Sequence, residues 1–157
     1  MATRSIQQWF DRYGESHRNA TNKLIHWICV PTIFFCVVGL LASIPPYELP
    51  YVGRVPWAKL MIGSALLGFY LPRSIPLTIG MAIWSYACLA LSKYLIDHAP
   101  WPLWAICTVL FVAAWIGQFI GHKIEGKKPS FLHDLQFLMI GPAWLMGFIY
   151  RRLGIPY

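Results

Sequence analysis

The sequence predicts an all-α protein: a polytopic integral membrane bundle of about four to five apolar helices in one domain, with an N-terminal interfacial helix. Three observations predict it. Of 157 residues, 57% are hydrophobic and 12% charged, with mean hydropathy +0.52. A soluble domain carries about 25% charged residues, so this chain has too little polar surface to coat a globule. The apolar residues fall in long charge-free runs, near the roughly 20 residues a helix needs to cross a bilayer. No run alternates with period two, and in lipid only helices or closed barrels satisfy the backbone.

The elements follow in order. Residues 3–15 read as an amphipathic lead-in helix, with Ile6, Trp9, Phe10 and Tyr13 on one stripe and Arg4, Gln8, Asp11 and Arg12 elsewhere. Asn19, Thr21 and Asn22 are helix-capping residue types, which makes a break before the first span plausible. That span runs from Leu24 to Tyr47. A short second run covers Leu60 to Pro72, a third Ser74 to Ser92, and a fourth Ala99 to His122. The last, Leu135 to Tyr150, is interrupted by Gly141-Pro142. The second and last runs are marginal in length, and read as tilted spans or as hairpins dipping into the bilayer. Prolines 45, 46, 50 and 56 mark a loop, and Pro100 and Pro102 mark another.

The net charge is +7, from 13 Lys+Arg against 6 Asp+Glu. The basic residues flank apolar runs, which is the pattern of membrane orientation and not of nucleic-acid binding. Their bias places the N-terminus and the 123–134 loop in the cytosol. Residues 1–23 lack the apolar core of a signal peptide. Cys29, Cys36, Cys88 and Cys107 lie inside apolar runs without CxxC spacing, and read as buried thiols.

The chemistry concentrates in the histidines. His17, His26, His98, His122 and His133 all stand at or near the ends of apolar runs. Ionisable groups at membrane depth are costly and are kept mainly for function. On one straight helix His17 and His26 would face opposite ways, about 14 Å apart; a bend at 19–22 would turn them together. Asn22 shares a face with His26, four residues on, and Glu125 lies one turn after His122. Both are candidates to orient ligand histidines, and a carboxylate at that distance can also bind a metal itself. Imidazole-rich ligation suits zinc, copper or iron, and an open-sided set without cysteine points to iron or a catalytic metal. No HExxH, GxSxG, P-loop or GxGxxG occurs.

Three pieces together resemble one family. They are His17, Asn22 and His26 followed by Pro31-Thr32-Ile33; Leu95-Ile96-Asp97-His98; and Gln118-Phe119-Ile120-Gly121-His122 with Glu125-Gly126, ending at Pro129. The chain resembles, from about residue 5 to 150, the membrane-bound iron(II)-dependent 2-hydroxy-fatty-acid dioxygenases. These are typified by the yeast enzyme of phytosphingosine breakdown. The resemblance implies α-oxidation: a 2-hydroxy fatty acid and O2 give a fatty acid one carbon shorter. It implies Fe(2+) bound by His17, His26, His98 and His122, with Glu125 and Asn22 supporting the ligands. It places the protein in the endoplasmic reticulum if eukaryotic, or the inner membrane if bacterial. The chain departs from the family at Ser130-Phe131, where many members have Ala-Leu, and at Ile124, where they have an aromatic residue.

Simple geometry sets one of these positions apart. His98 and His122 bracket the fourth run, and a straight helix would hold them about 36 Å apart. Either that run is broken, or the segments do not cross as drawn, or His98 does something else, with His133 the candidate to replace it. Arg18, Lys23 and Lys123 either steer a substrate carboxylate or anchor the chain at the interface. Two readings compete with the enzyme: a transporter or metal/proton relay using its histidines without redox chemistry, and a membrane-shaping protein. Against the first, no Asp or Glu lies mid-span and no repeat is visible.

Overall fold

A computed structural model describes residues 5–51, 53–126 and 131–157, and their side chains except those of Leu49 and of 131–137. The described residues form six α-helices and one small hairpin. The family of elements is the all-α bundle expected.

Helix α1 spans Ile6–Gly14 and starts with a capping box, in which Ser5 and Gln8 bond each other's backbone N–H. Ile6, Phe10 and Tyr13 are buried, and the helix packs on α6 (Phe131–Leu153) near the other end of the chain. The lead-in helix is thus part of the packed bundle. Arg4 lies outside the described residues.

Helix α2, Ala20–Ala42, begins where the capping residues sit: the Asn19 side chain accepts from the backbone N–H of Thr21 and Asn22. The chain then turns through a hairpin, β1 (Tyr47–Leu49) against β2 (Gly53–Val55), at the place read as a plain loop. Tyr51 and Gly53 take positive φ there, at 66° and 85°. Three-residue strands carry too little periodicity to be read from sequence.

Helix α3, Trp57–Ser64, runs into one π-helical turn, Ala65–Tyr70. Together they extend about 21 Å, short of a hydrocarbon core of about 30 Å. Helix α4 (Ile75–His98) and helix α5 (Leu103–Glu125) are joined by four residues, so they run antiparallel. Helix α6 continues through Gly141-Pro142 without a break, where the sequence suggested an interruption. Pro142 removes one N–H, but the helix is held from outside. The Tyr70 hydroxyl donates to the Met139 carbonyl, and the Tyr150 hydroxyl donates to the Pro76 carbonyl at 2.7 Å.

Among the described residues three helices are long and apolar enough to cross a membrane: α2, α4 and α5. In lipid, helices associate through close packing more than through hydrophobicity. The main contact is α2 against α5. At Gly39 a methyl group would stand 2.4 Å from the Cys107 sulfur, so the missing side chain is what lets α5 approach. This pairing brings the start of α2 beside the end of α5, and the site forms there.

Candidate metal centre

Three histidines meet at that end of the bundle. His17 lies in the short connection between α1 and α2, His26 on the second turn of α2, and His122 in the last turn of α5. All are buried, at 4%, 1% and 5% exposure. The bend at 15–19 is what unites the first two. It converts the separation expected on a straight helix into a ring-to-ring distance of 4.2 Å. His122 stands 5.4 Å from the His17 ring and 5.1 Å from that of His26. One ring nitrogen from each lies within 4.8 Å of the others.

Backbone carbonyls orient two of the rings. Nδ1 of His26 is 2.9 Å from the Asn22 carbonyl oxygen, and Nδ1 of His17 is 2.6 Å from that of Tyr13. A carbonyl can only accept, so each Nδ1 carries the proton and each Nε2 keeps its lone pair. That is the tautomer a metal ligand needs, and the hydrogen bond raises its basicity. His17 is also stacked on the Tyr13 ring at 4.1 Å, and Trp144 of α6 packs 5.5 Å from it.

Glu125 closes the site from behind. Its carboxylate accepts from the backbone N–H of Arg18 at 2.8 Å and of Asn19 at 2.9 Å. It also accepts from Nδ2 of Asn22 at 3.1 Å. The same Asn22 amide donates to the Ser16 carbonyl. An anion is favoured at the N-terminus of a helix, and here it belongs to another helix, so it staples the His17 connection to α5. Among the described residues no carboxylate joins the three histidines within ligating distance of one another. The donor set is three uncharged imidazoles, which suits zinc, copper or iron. A divalent ion held by these three residues would receive no negative charge from them.

His98 is placed elsewhere. It ends α4, exposed, with Nδ1 2.9 Å from the Tyr94 carbonyl oxygen. Helix α5 is unbroken from Leu103 to Glu125, so about 28 Å of helix separates that end of the bundle from His122. The structure does not bring His98 to the other three. The side chain of His133 lies outside the described residues.

A half-open cavity of about 40 Å³ adjoins His26 and His122. Tyr13, Gln118 and Trp115 help line it, and sequence reasoning assigned none of them a place there. The available signal was spacing: Tyr13 precedes His17 by four residues and Gln118 precedes His122 by four, one helical turn in each case.

A protein-family profile described as 2-hydroxy-palmitic acid dioxygenase Mpo1-like matches residues 3–153. The chain is 33% identical to the 2-hydroxy-palmitic acid dioxygenase MPO1 of Saccharomyces cerevisiae over 144 residues, covering 90% of this chain and 78% of the yeast protein. No solved structure is significantly similar. With a buried three-histidine cluster set in a bundle of membrane-length helices, and with nearly its whole length matched, this chain belongs to the Mpo1-like family of 2-hydroxy-palmitic acid dioxygenases.

Proposed function

We propose that this protein cleaves the C1–C2 bond of 2-hydroxy fatty acids with O2, using iron(II) held by His17, His26 and His122. The products are a fatty acid one carbon shorter, carbon dioxide and water. The balance closes: R–CHOH–COOH and O2 contain the atoms of R–COOH, CO2 and H2O, and the four electrons lost by the two carbons are those one O2 accepts.

The observation that carries this reading is the neutral donor set. Three imidazoles leave the charge of a divalent metal uncompensated, and the Glu125 oxygens face N–H donors of the α2 start. An anionic chelator would suit such a site, and a 2-hydroxy carboxylate offers one through its carboxylate and hydroxyl oxygens. Bound iron(II) supplies the ability to reduce O2 beside that chelate. The chain supplies the rest. The Asn22 and Tyr13 carbonyls hold the ligand tautomers, and Glu125 and Asn22 hold the three ring-bearing segments in register. The apolar wall of the cavity keeps water from the reacting carbons.

The test is product analysis by mass spectrometry. Detergent-purified protein is incubated with 2-hydroxypalmitic acid, iron(II) and O2. The reading requires a fatty acid one carbon shorter, absent without O2, absent after chelation, and absent in His26→Ala. Folded, iron-loaded protein that makes no product from any chain length overturns it.

A further inference from the structure

The cavity beside the histidines has two chemically different ends. His26, His122 and Gln118 form a polar end; Val30, Ile33, Trp115 and Leu138 form an apolar one. Because α2 and α5 run antiparallel, depth can be read along both. His26 to Ile33 is seven residues, and so is His122 to Trp115. Each interval is about 10 Å of helix, so Ile33 and Trp115 sit at the same level below the histidines.

The apolar end lies beside a lipid-facing surface. Trp115 and Leu138 are only partly buried. Around Trp115 on α5, Val112, Ile116 and Phe119 are exposed at 52%, 55% and 47%. On a membrane-length helix such a face meets acyl chains. Polar head against the histidines, apolar walls below, and a lipid-facing rim together match an amphiphile entering head first.

We propose that this cavity holds only the first eight or so carbons of the acyl chain, between α2, α5 and Leu138 of α6, and that the remaining tail stays in the bilayer. The proposal rests on the reaction proposed above. An extended alkyl chain advances about 1.3 Å per carbon, so a depth of about 10 Å takes about eight. Methylenes beyond that level are surrounded by lipid both before and after binding, and contribute nothing to selection. The protein therefore discriminates by the 2-hydroxy acid head and by the proximal chain. It has a lower limit of chain length and no upper one.

The experiment compares 2-hydroxyhexanoic, 2-hydroxydecanoic, 2-hydroxypalmitic and 2-hydroxylignoceric acids on the iron-loaded protein. The expected wild-type result is a kcat/KM that rises to the ten-carbon acid and is then level within about threefold. A steep fall from the sixteen- to the twenty-four-carbon acid means a closed pocket and overturns the proposal. Filling the apolar end with Ile33→Trp, or with Leu138→Trp should the first fail to fold, is expected to lower the ratio of kcat/KM for 2-hydroxypalmitic over 2-hydroxyhexanoic acid at least about tenfold. An unchanged ratio in folded, metal-replete variants overturns the placement of the tail.

A binding arm separates this proposal from the reaction itself. 2-Hydroxypalmitic acid brominated at carbons 7 and 8 is expected to quench the part of the tryptophan emission that Trp115→Phe removes. Quenching without turnover of any acid keeps the tail site and rejects the reaction. Turnover without quenching of Trp115 keeps the reaction and rejects the tail site.

Discussion

Nδ2 of Asn22 donates to Oε2 of Glu125 across 3.1 Å, joining the start of α2 to the end of α5. The Asn22 carbonyl meanwhile orients His26, and Glu125 also accepts from the backbone next to His17. One pair of residues thus fixes three histidines relative to one another. Glu125 is not in the three-histidine group, and the role proposed for it and for Asn22 is positioning. Glu125→Ala is expected to lower metal affinity about 10- to 100-fold, the usual cost of losing a group that holds ligands. Glu125→Gln restores part of it, since its amide oxygen still accepts from one backbone N–H. Metal per protein after dialysis against a graded chelator measures both. Equal retention in wild type and Glu125→Ala would show that the staple is irrelevant to the site.

Gly121 is the position where this arrangement tolerates least. A methyl group there would stand 2.3 Å from Oδ1 of Asn22 and 3.5 Å from the His26 ring. The Asn22 amide nitrogen donates to two acceptors, the Ser16 carbonyl and Glu125, so the side chain has little room to move. Gly121→Ala is expected to destabilise the protein by about 1–3 kcal/mol and to lower bound metal. Gly126 makes the useful comparison. It has φ of 74° and open space around it, so Gly126→Ala costs about 1 kcal/mol of backbone strain and leaves the metal in place. Thermal unfolding in detergent, with metal content measured alongside, distinguishes the two.

Much of this was legible in the sequence. Helix-forming apolar runs are long-range averages, and they located α2, α4 and α5. The capping residues at 19–22 made the bend plausible, and the bend is what joins His17 to His26. The hairpin at 47–55 and the continuity of α6 through Pro142 were not legible. The first is too short for periodicity, and the second depends on a hydroxyl that Tyr70 donates to α6 from elsewhere in the chain and on the anchoring of α6 to α4 through Tyr150. Nor could local sequence separate His17 from His98. Both stack on a tyrosine four residues earlier, at 4.1 and 4.4 Å, and both use Nδ1 on its carbonyl. The length of the run between His98 and His122 is what sets His98 apart in the sequence, and in the structure His26 and His122 converge on His17.

The Tyr13 side chain and backbone do different jobs for His17. The carbonyl accepts from Nδ1, and the ring provides the stacking face, itself backed by Trp144 at 5.1 Å. Neither depends on the phenol oxygen. Tyr13→Phe is therefore expected to keep metal binding within about threefold of wild type, whereas Tyr13→Ala removes the face and lets His17 swing, at a cost of about 3–5 kcal/mol in stability. Metal titration of both variants checks this. A loss in Tyr13→Phe as large as in Tyr13→Ala would assign the role to the hydroxyl.

The ligand assignment itself makes the sharpest prediction. His17, His26 and His122 converge, and His98 stands exposed at the far end of α5. Alanine at any one of the three removes a proposed ligand from a group that no further His, Cys, Asp or Glu joins among the described residues, so each single substitution is expected to abolish both bound iron and product formation. The second substitution then adds almost nothing, because residues that act as a unit are not additive. His98→Ala removes one exposed ring stacked on Tyr94, and is expected to retain iron and turnover within about twofold. Iron content and shortened-acid yield, measured on the four single variants and on the His17→Ala/His26→Ala double variant, decide it. Loss of iron in His98→Ala would mean that the far end of the bundle takes part in holding the metal, which a continuous α5 does not allow.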